Sequence, residues 1–142
     1  MQKNQPMKKF LAIAVLALIA VSCDKYEEGS NFSLLSAKTR LVNSWKLTKI
    51  TLTSGSISSE STSDEQTITF EKNNTYISQG NFSGFSVEES GVWNFNSDKT
   101  ELITNDGDGN VTSFRILKLK NDELALLTDV SLGTLRYDYE AE

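Results

Sequence analysis

Histidine is absent from this 142-residue chain, and cysteine and proline occur once each. Without imidazole there is no histidine general base, no Ser-His-Asp relay and no zinc or copper site built on histidine. A single cysteine forms no disulfide within the chain. The one proline is Pro6, so no later strand is interrupted by a residue lacking an amide hydrogen. Basic residues are few, with 14 Lys and Arg against 19 Asp and Glu. Residues 1–22 hold three of the lysines and none of the acids, which leaves 11 basic against 19 acidic residues and a formal charge of −8 for the remainder. A nucleic-acid binder needs a positive footprint, and this composition supplies none. Long hydrophobic runs are missing too. Residues 10–21 are apolar, but a bilayer-spanning helix takes about 20 such residues.

That short run is part of an address. Lys3, Lys8 and Lys9 precede it, and small residues follow it, the pattern of a secretory signal. Met7 offers a second candidate start beside Met1. The run ends Ile19-Ala-Val-Ser-Cys23, which resembles the lipobox of bacterial lipoproteins, where the chain is cut before a cysteine that is then acylated. Ser22 fits the position before the cysteine, while Ala20 stands where leucine is usual. Ordinary signal-peptidase cleavage is the alternative, because Ala20 and Ser22 are both small. The resemblance implies a signal peptide over 1–22, lipidation at Cys23, a lipidated and flexible tether over 23–33 and a domain over 34–142. Acyl chains bury about 0.8 kcal/mol per CH₂, so several together hold a protein firmly to a membrane. Asp24-Lys-Tyr-Glu-Glu28 resembles the acidic surface-export tag of some Gram-negative lipoproteins. The expected location is the outer membrane, lipid-anchored, with the cell surface ahead of the periplasmic face. A solvated tether is the plainer reading of the same residues.

Beyond the tether, apolar residues at 34, 35, 37, 41 and 42 predict a short helix, capped by Ser33 and ended by Asn43. Helical periodicity then stops. Eight β-rich runs follow, at 45–52, 66–71, 75–79, 91–96, 101–105, 111–119, 123–129 and 134–139. Alternation puts Ile68 and Phe70 on one face, as it does Trp93 and Phe95, Phe114 and Ile116, Leu124 and Leu126, and Leu135, Tyr137 and Tyr139. In the first run Trp45 and Leu47 differ in parity from Ile50 and Leu52, which predicts a β-bulge near Lys49. Connections alternate between tight turns (72–74, 97–99, 121–122) and longer segments (53–65, 80–90, 106–110, 130–133). In an up-and-down meander the tight turns share the helix end, and the longer loops surround a mouth at the other. The predicted fold is all-β, an eight-stranded antiparallel up-and-down barrel with a short N-terminal helix and Trp45 plugging one end.

Leu41-x-x-x-Trp45-x-Leu47, Ile68-Thr-Phe70 followed by Thr75-Tyr76, Gly91-Val-Trp93-Asn-Phe95, and Ile116-x-x-Leu119-x-x-Asp122-Glu-Leu124-x-Leu126 together resemble the lipocalin-like domain of small bacterial lipoproteins. The resemblance covers about residues 41–139. It implies a barrel wide enough for a packed core or one small ligand. Asn43 stands where lipocalins carry glycine before the first-strand tryptophan. Lipocalins also place a last-strand arginine across that tryptophan, and Arg136 is the candidate, with parity opposite to Leu135 and Tyr137.

Two functions follow. In the first, the protein is a membrane-anchored, non-enzymatic lipoprotein whose barrel takes a small apolar ligand, lined by Trp93, Phe95, Phe114 and Tyr137 and gated by Phe82 and Phe85. In the second, the barrel is filled, and the loops of its open end meet a protein or glycan partner. The alternative for Phe82 and Phe85 is that the third strand runs further and they fold into the barrel wall or core. No cofactor and no metal are expected. Asp106-Gly-Asp-Gly-Asn110 starts like a calcium loop, but Val111 and Leu117 stand where an EF-hand needs Gly and Glu, so a hairpin loop is the better reading. Glu88, Glu89, Asp106 and Asp108 offer carboxylates of the kind glycoside hydrolysis uses, yet nothing in the sequence pairs them.

Overall fold

A computed structural model describes residues 25–28, 34–62, 65–82 and 84–142, with Phe82 placed by its backbone alone. Residues 1–24, which hold the expected signal peptide and Cys23, lie outside the described residues. Among those described, one helix and nine strands follow in order: α1 (Ala37–Leu41), β1 (Ser44–Ser54), β2 (Ile57–Thr62), β3 (Gln66–Phe70), β4 (Thr75–Phe82), β5 (Phe85–Phe95), β6 (Glu101–Asp106), β7 (Val111–Leu119), β8 (Glu123–Val130) and β9 (Gly133–Ala141). No described helix is long and apolar enough to cross a membrane.

All pairings are antiparallel, and β9 returns to β1 to close the barrel. The barrel has eight positions because β2 and β3 occupy one edge of β1 in series. Ser44–Lys46 of β1 pairs with β3, and Lys49–Ser54 pairs with β2. Closure leaves no open edge running the length of the sheet. The 53–65 and 80–90 segments, expected to be loops, are instead strands for most of their length. β1 and β2 turn at Gly55, and β4 and β5 pair out to Phe82 and Phe85. Serine, threonine and glutamate dominate them because they project past the core, so they carry little apolar alternation to announce a strand.

The predicted bulge is present, with the β1–β9 register shifting between Leu47 and Lys49. Thr48 is the extra residue, and its Oγ1 donates to the Asp138 carbonyl at 3.0 Å. The shift brings Leu47 opposite Tyr139 and Ile50 opposite Tyr137, so both halves of β1 face inward. A second bulge, not anticipated, lies between Ile116 and Lys118 on β7.

The helix is shorter than its sequence signal. Ser36, not Ser33, caps it, its Oγ accepting the Thr39 amide at 3.1 Å. Ala37, Arg40 and Leu41 form its buried stripe, and Leu34 is left outside. Trp45 is fully buried, and its indole N–H donates to the Leu41 carbonyl at 2.9 Å, satisfying one of the helix's terminal acceptors. Around it, Leu41, Leu47, Phe70, Trp93, Leu102, Leu119 and Leu124 fill the lower half of the barrel. Tight turns sit at this end, with Asn74 and Lys99 in the left-handed region at φ 68° and 57°.

Residues 25–28 correct the expectation of a flexible tether throughout 23–33. Tyr26 is 3% exposed and belongs to the core cluster. Its hydroxyl donates to the Lys99 carbonyl at 3.1 Å, and its ring lies 5.9 Å from the guanidinium carbon of Arg40. The Glu28 amide donates to the carbonyl of the bulged Leu117 at 2.7 Å. A large aromatic supplies enough apolar area to hold a short segment that its charged neighbours alone would leave in solvent.

Candidate functional site

The inner faces of the strands change character along the barrel axis. Near the helix, Phe70 and Trp93 meet edge-on at 5.8 Å, and Trp93 and Phe95 do so at 5.5 Å. The Trp93 indole N–H donates to the Thr75 carbonyl at 3.0 Å, and the residue is fully buried. Trp93 therefore belongs to a packed floor and not to a ligand-lining wall. Phe95 is half-buried against the same layer.

Above that floor lies a cavity of about 470 Å³, within the range of small-molecule sites. Ile50, Gln66, Ser78, Gly80, Val87 and Glu89 line it from the walls, and Ser61, Thr62 and Asn81 lie at its edge. Three bulk-reducing features make the space. Gly80 has no side chain, Ser78 has a small one, and the β1–β2 and β4–β5 hairpins extend beyond the core. Phe114 and Tyr137 are half-buried and contact each other edge-on at 6.1 Å. Tyr137 pairs with the cavity-lining Ile50 in the β1–β9 ladder. None of the four predicted lining residues lines the cavity: Trp93 belongs to the core, and Phe95, Phe114 and Tyr137 pack against it.

The polar side of the cavity is built on a hydrogen-bond relay. The Tyr76 hydroxyl donates to Glu89 Oε1 at 2.6 Å. Tyr76 is 2% and Thr104 8% exposed. Burial first, and the neighbouring Glu89 carboxylate second, push the Tyr76 phenol well above its ordinary range. Gln66 Nε2 reaches Ser78 Oγ at 3.5 Å across the same wall. Tyr76, Gln66 and Ser78 were not expected as site residues, and Glu89 figures in the sequence only as one of four unpaired carboxylates. At this height the lumen is polar, so the apolar alternation that marks an inward face fades.

Other expected roles resolve differently. Phe85 sits at the β4–β5 tip and is 75% exposed. The Phe82 side chain lies outside the described residues, though its backbone pairs with Phe85. Arg136 does not lie across Trp45. It faces the outer wall, where its Nη2 meets Glu28 Oε2 at 2.7 Å and its Nε donates to both oxygens of Asp138 at 3.0 Å. The parity of Arg136 along β9, opposite to that of Leu135 and Tyr137 on the inner face, is the physical reason. Asp106 is consumed by its own turn, accepting from the amides of Asp108 and Asn110 at 2.9 and 2.8 Å. The Asn110 side-chain amide, donating to Oδ2 at 2.8 Å, and these backbone bonds hold its carboxyl below the usual range. Glu88 points outward, paired with Gln79 at 2.8 Å, while Glu89 points inward. Among the described residues no group of acidic side chains could hold a metal ion.

A closed eight-position barrel with a packed base, a helix beneath it and an open polar cup above defines a small β-barrel of the ligand-binding kind. Residues 41–126 match the model of the lipocalin-like domain, and the chain belongs to that family. Among solved structures it is similar to a redesigned beta barrel, at 12% identity and a TM-score of 0.51, over 78% of this chain and 98% of that one. At that identity the likeness shows the fold alone. No curated protein matches the chain.

Proposed function

We propose that this protein is a non-enzymatic, lipid-anchored lipoprotein that binds a small, partly apolar molecule in the upper half of its barrel. The observation that carries the reading is the cavity of about 470 Å³ standing over a floor with no slack. Cys23 carries the lipid, and the outer membrane, at the cell surface, is its place. The Tyr26–Lys99 bond supports a mouth directed away from the membrane, because it ties the segment following Cys23 to the tight-turn end.

Gly80→Leu tests the cavity. The position has no positive φ, and an added Cβ meets Gln66 at ordinary contact distances, 3.4 Å to its side chain and 3.7 Å to its Cα, so a larger residue can be accommodated in the cavity it lines. Native mass spectrometry of the full chain from its own host should show a small-molecule adduct that Gly80→Leu loses. An adduct that survives the substitution removes the cavity as its site. Anchoring is tested separately, since Cys23→Ala should abolish incorporation of labelled fatty acid.

A second reading rests on the rim. Ile57, Phe85, Val111 and Leu132 are 72%, 75%, 64% and 69% exposed, and each stands at the open end on a different connection. Exposed apolar groups ringing one end suit contact with a protein or glycan. Phe85→Ser with Leu132→Ser should weaken such contact and leave the adduct intact.

A further inference from the structure

We infer that the cavity selects a ligand with a positively charged, hydrogen-bond-donating head, a primary ammonium or amidinium, joined to an apolar body, and that Glu89 receives the head. This rests on the cavity reading above and specifies its ligand class. Glu89 stands opposite Ser78 in the β4–β5 ladder, and both side chains line the cavity. The carboxylate is held from behind. Tyr76, itself buried, spends its single donor on Oε1. An ionised carboxylate offers about four acceptor sites, so one bond from Tyr76 leaves most of them for a guest.

Among the described residues no lysine or arginine forms an ion pair with Glu89. Gln66 donates its amide to Ser78, which leaves its carbonyl oxygen as a second acceptor beside the cavity. Ile50 and Val87 supply the apolar side. A wholly apolar guest would strip water from the carboxylate and replace none of its hydrogen bonds, which is costly. An anionic guest would be repelled. A cation with several N–H donors restores the lost bonds and adds charge, and such bonds are roughly twice as strong as neutral ones.

Three soluble probes of matched shape separate the possibilities: 2-phenylethylammonium, 2-phenylethanol and 3-phenylpropanoate, titrated into the full chain and followed by ligand-observed NMR. The ammonium should bind about tenfold more tightly than the alcohol, and the carboxylate most weakly. Glu89→Gln keeps an acceptor for Tyr76 and so keeps the fold, checked by an unchanged melting temperature. It should reduce ammonium affinity to that of the alcohol while leaving the alcohol alone. Equal binding of ammonium and alcohol by the natural chain, or a preference that survives Glu89→Gln, overturns the head-group assignment and leaves the cavity reading standing. Failure of all three probes to bind overturns both.

Discussion

Replacing Tyr26 by alanine removes the buried aromatic that holds the described segment 25–28 against the barrel. Tyr26 is 3% exposed, and burying a side chain of that size stabilises by about 1.5–3 kcal/mol. Its hydrogen bond to the Lys99 carbonyl adds about 1 kcal/mol, and its contact with Arg40 about 0.5–2 kcal/mol. The loss is smaller than that sum because the freed segment regains backbone entropy, about 1–2 kcal/mol per residue. The expected net cost is therefore about 2 kcal/mol, roughly 6–12 °C in melting temperature for a domain of this size. Thermal unfolding followed by circular dichroism reads it. The ion pairs cannot substitute for the ring. Glu27 and Arg115 sit 3.6 Å apart with side chains 64% and 55% exposed, so Glu27→Gln should change nothing measurable. Hydrogen exchange gives an independent readout, since the Glu28 amide bonded to Leu117 should exchange slowly in the natural chain and fast in Tyr26→Ala. An unchanged melting temperature together with fast exchange of Glu28 in the natural chain would show that the segment is not docked.

Trp93→Ala should cost about 3–5 kcal/mol in urea unfolding, because it empties a fully buried site and removes one of the two donors to the Thr75 carbonyl. Gly91→Ala should cost on the order of 3 kcal/mol, since its Cβ would fall 2.1 Å from the Asn105 carbonyl oxygen where β5 meets β6. Alkali should unfold the protein progressively. Burial raises the phenols of all four tyrosines above their ordinary 10.0, so the folded state holds protons that the unfolded chain releases, and stability present below pH 10 is lost as pH rises past it. Tyrosinate absorbance should then appear together with loss of β-sheet ellipticity, and tyrosinate titrating early in a fully folded chain would refute the linkage. Acid acts on the Glu28 clamp in the opposite sense. The Arg136 hydrogen bond lowers the Glu28 carboxyl below its ordinary 4.5, so the clamp's contribution is present above that pH and fades as pH falls through the lowered value. Exchange at the Glu28 amide, measured between neutral pH and pH 3, should report that release before the barrel melts.

Strand periodicity made most of the barrel legible. Ile68 with Phe70, Trp93 with Phe95 and Leu124 with Leu126 alternate with outward residues, and a two-residue period has one structural meaning when one face is buried. The parity break between Leu47 and Ile50 located the first bulge for the same reason. The second bulge left no such mark. Leu117 is apolar and buried, although it is the extra residue of β7. The docked Tyr26–Glu28 segment was equally silent, since charged residues flanking one tyrosine read as tether until the Leu117 carbonyl and the Arg136 guanidinium are seen beside them.

What the sequence alone determined is therefore the order of the eight meander strands without the added β2, the inward face of the lower barrel, the helix end and the lipocalin-like family character. These depend on local pattern and on turn chemistry, both written within a few consecutive residues. Where the space lies was decided only in three dimensions. Trp93 and Phe95 interlock with Phe70 and leave no room, while Gly80, Ser78 and Glu89 meet Ile50 from strands distant in sequence and leave a cavity. A void is a property of side chains that converge from different strands, and no single stretch of residues records it.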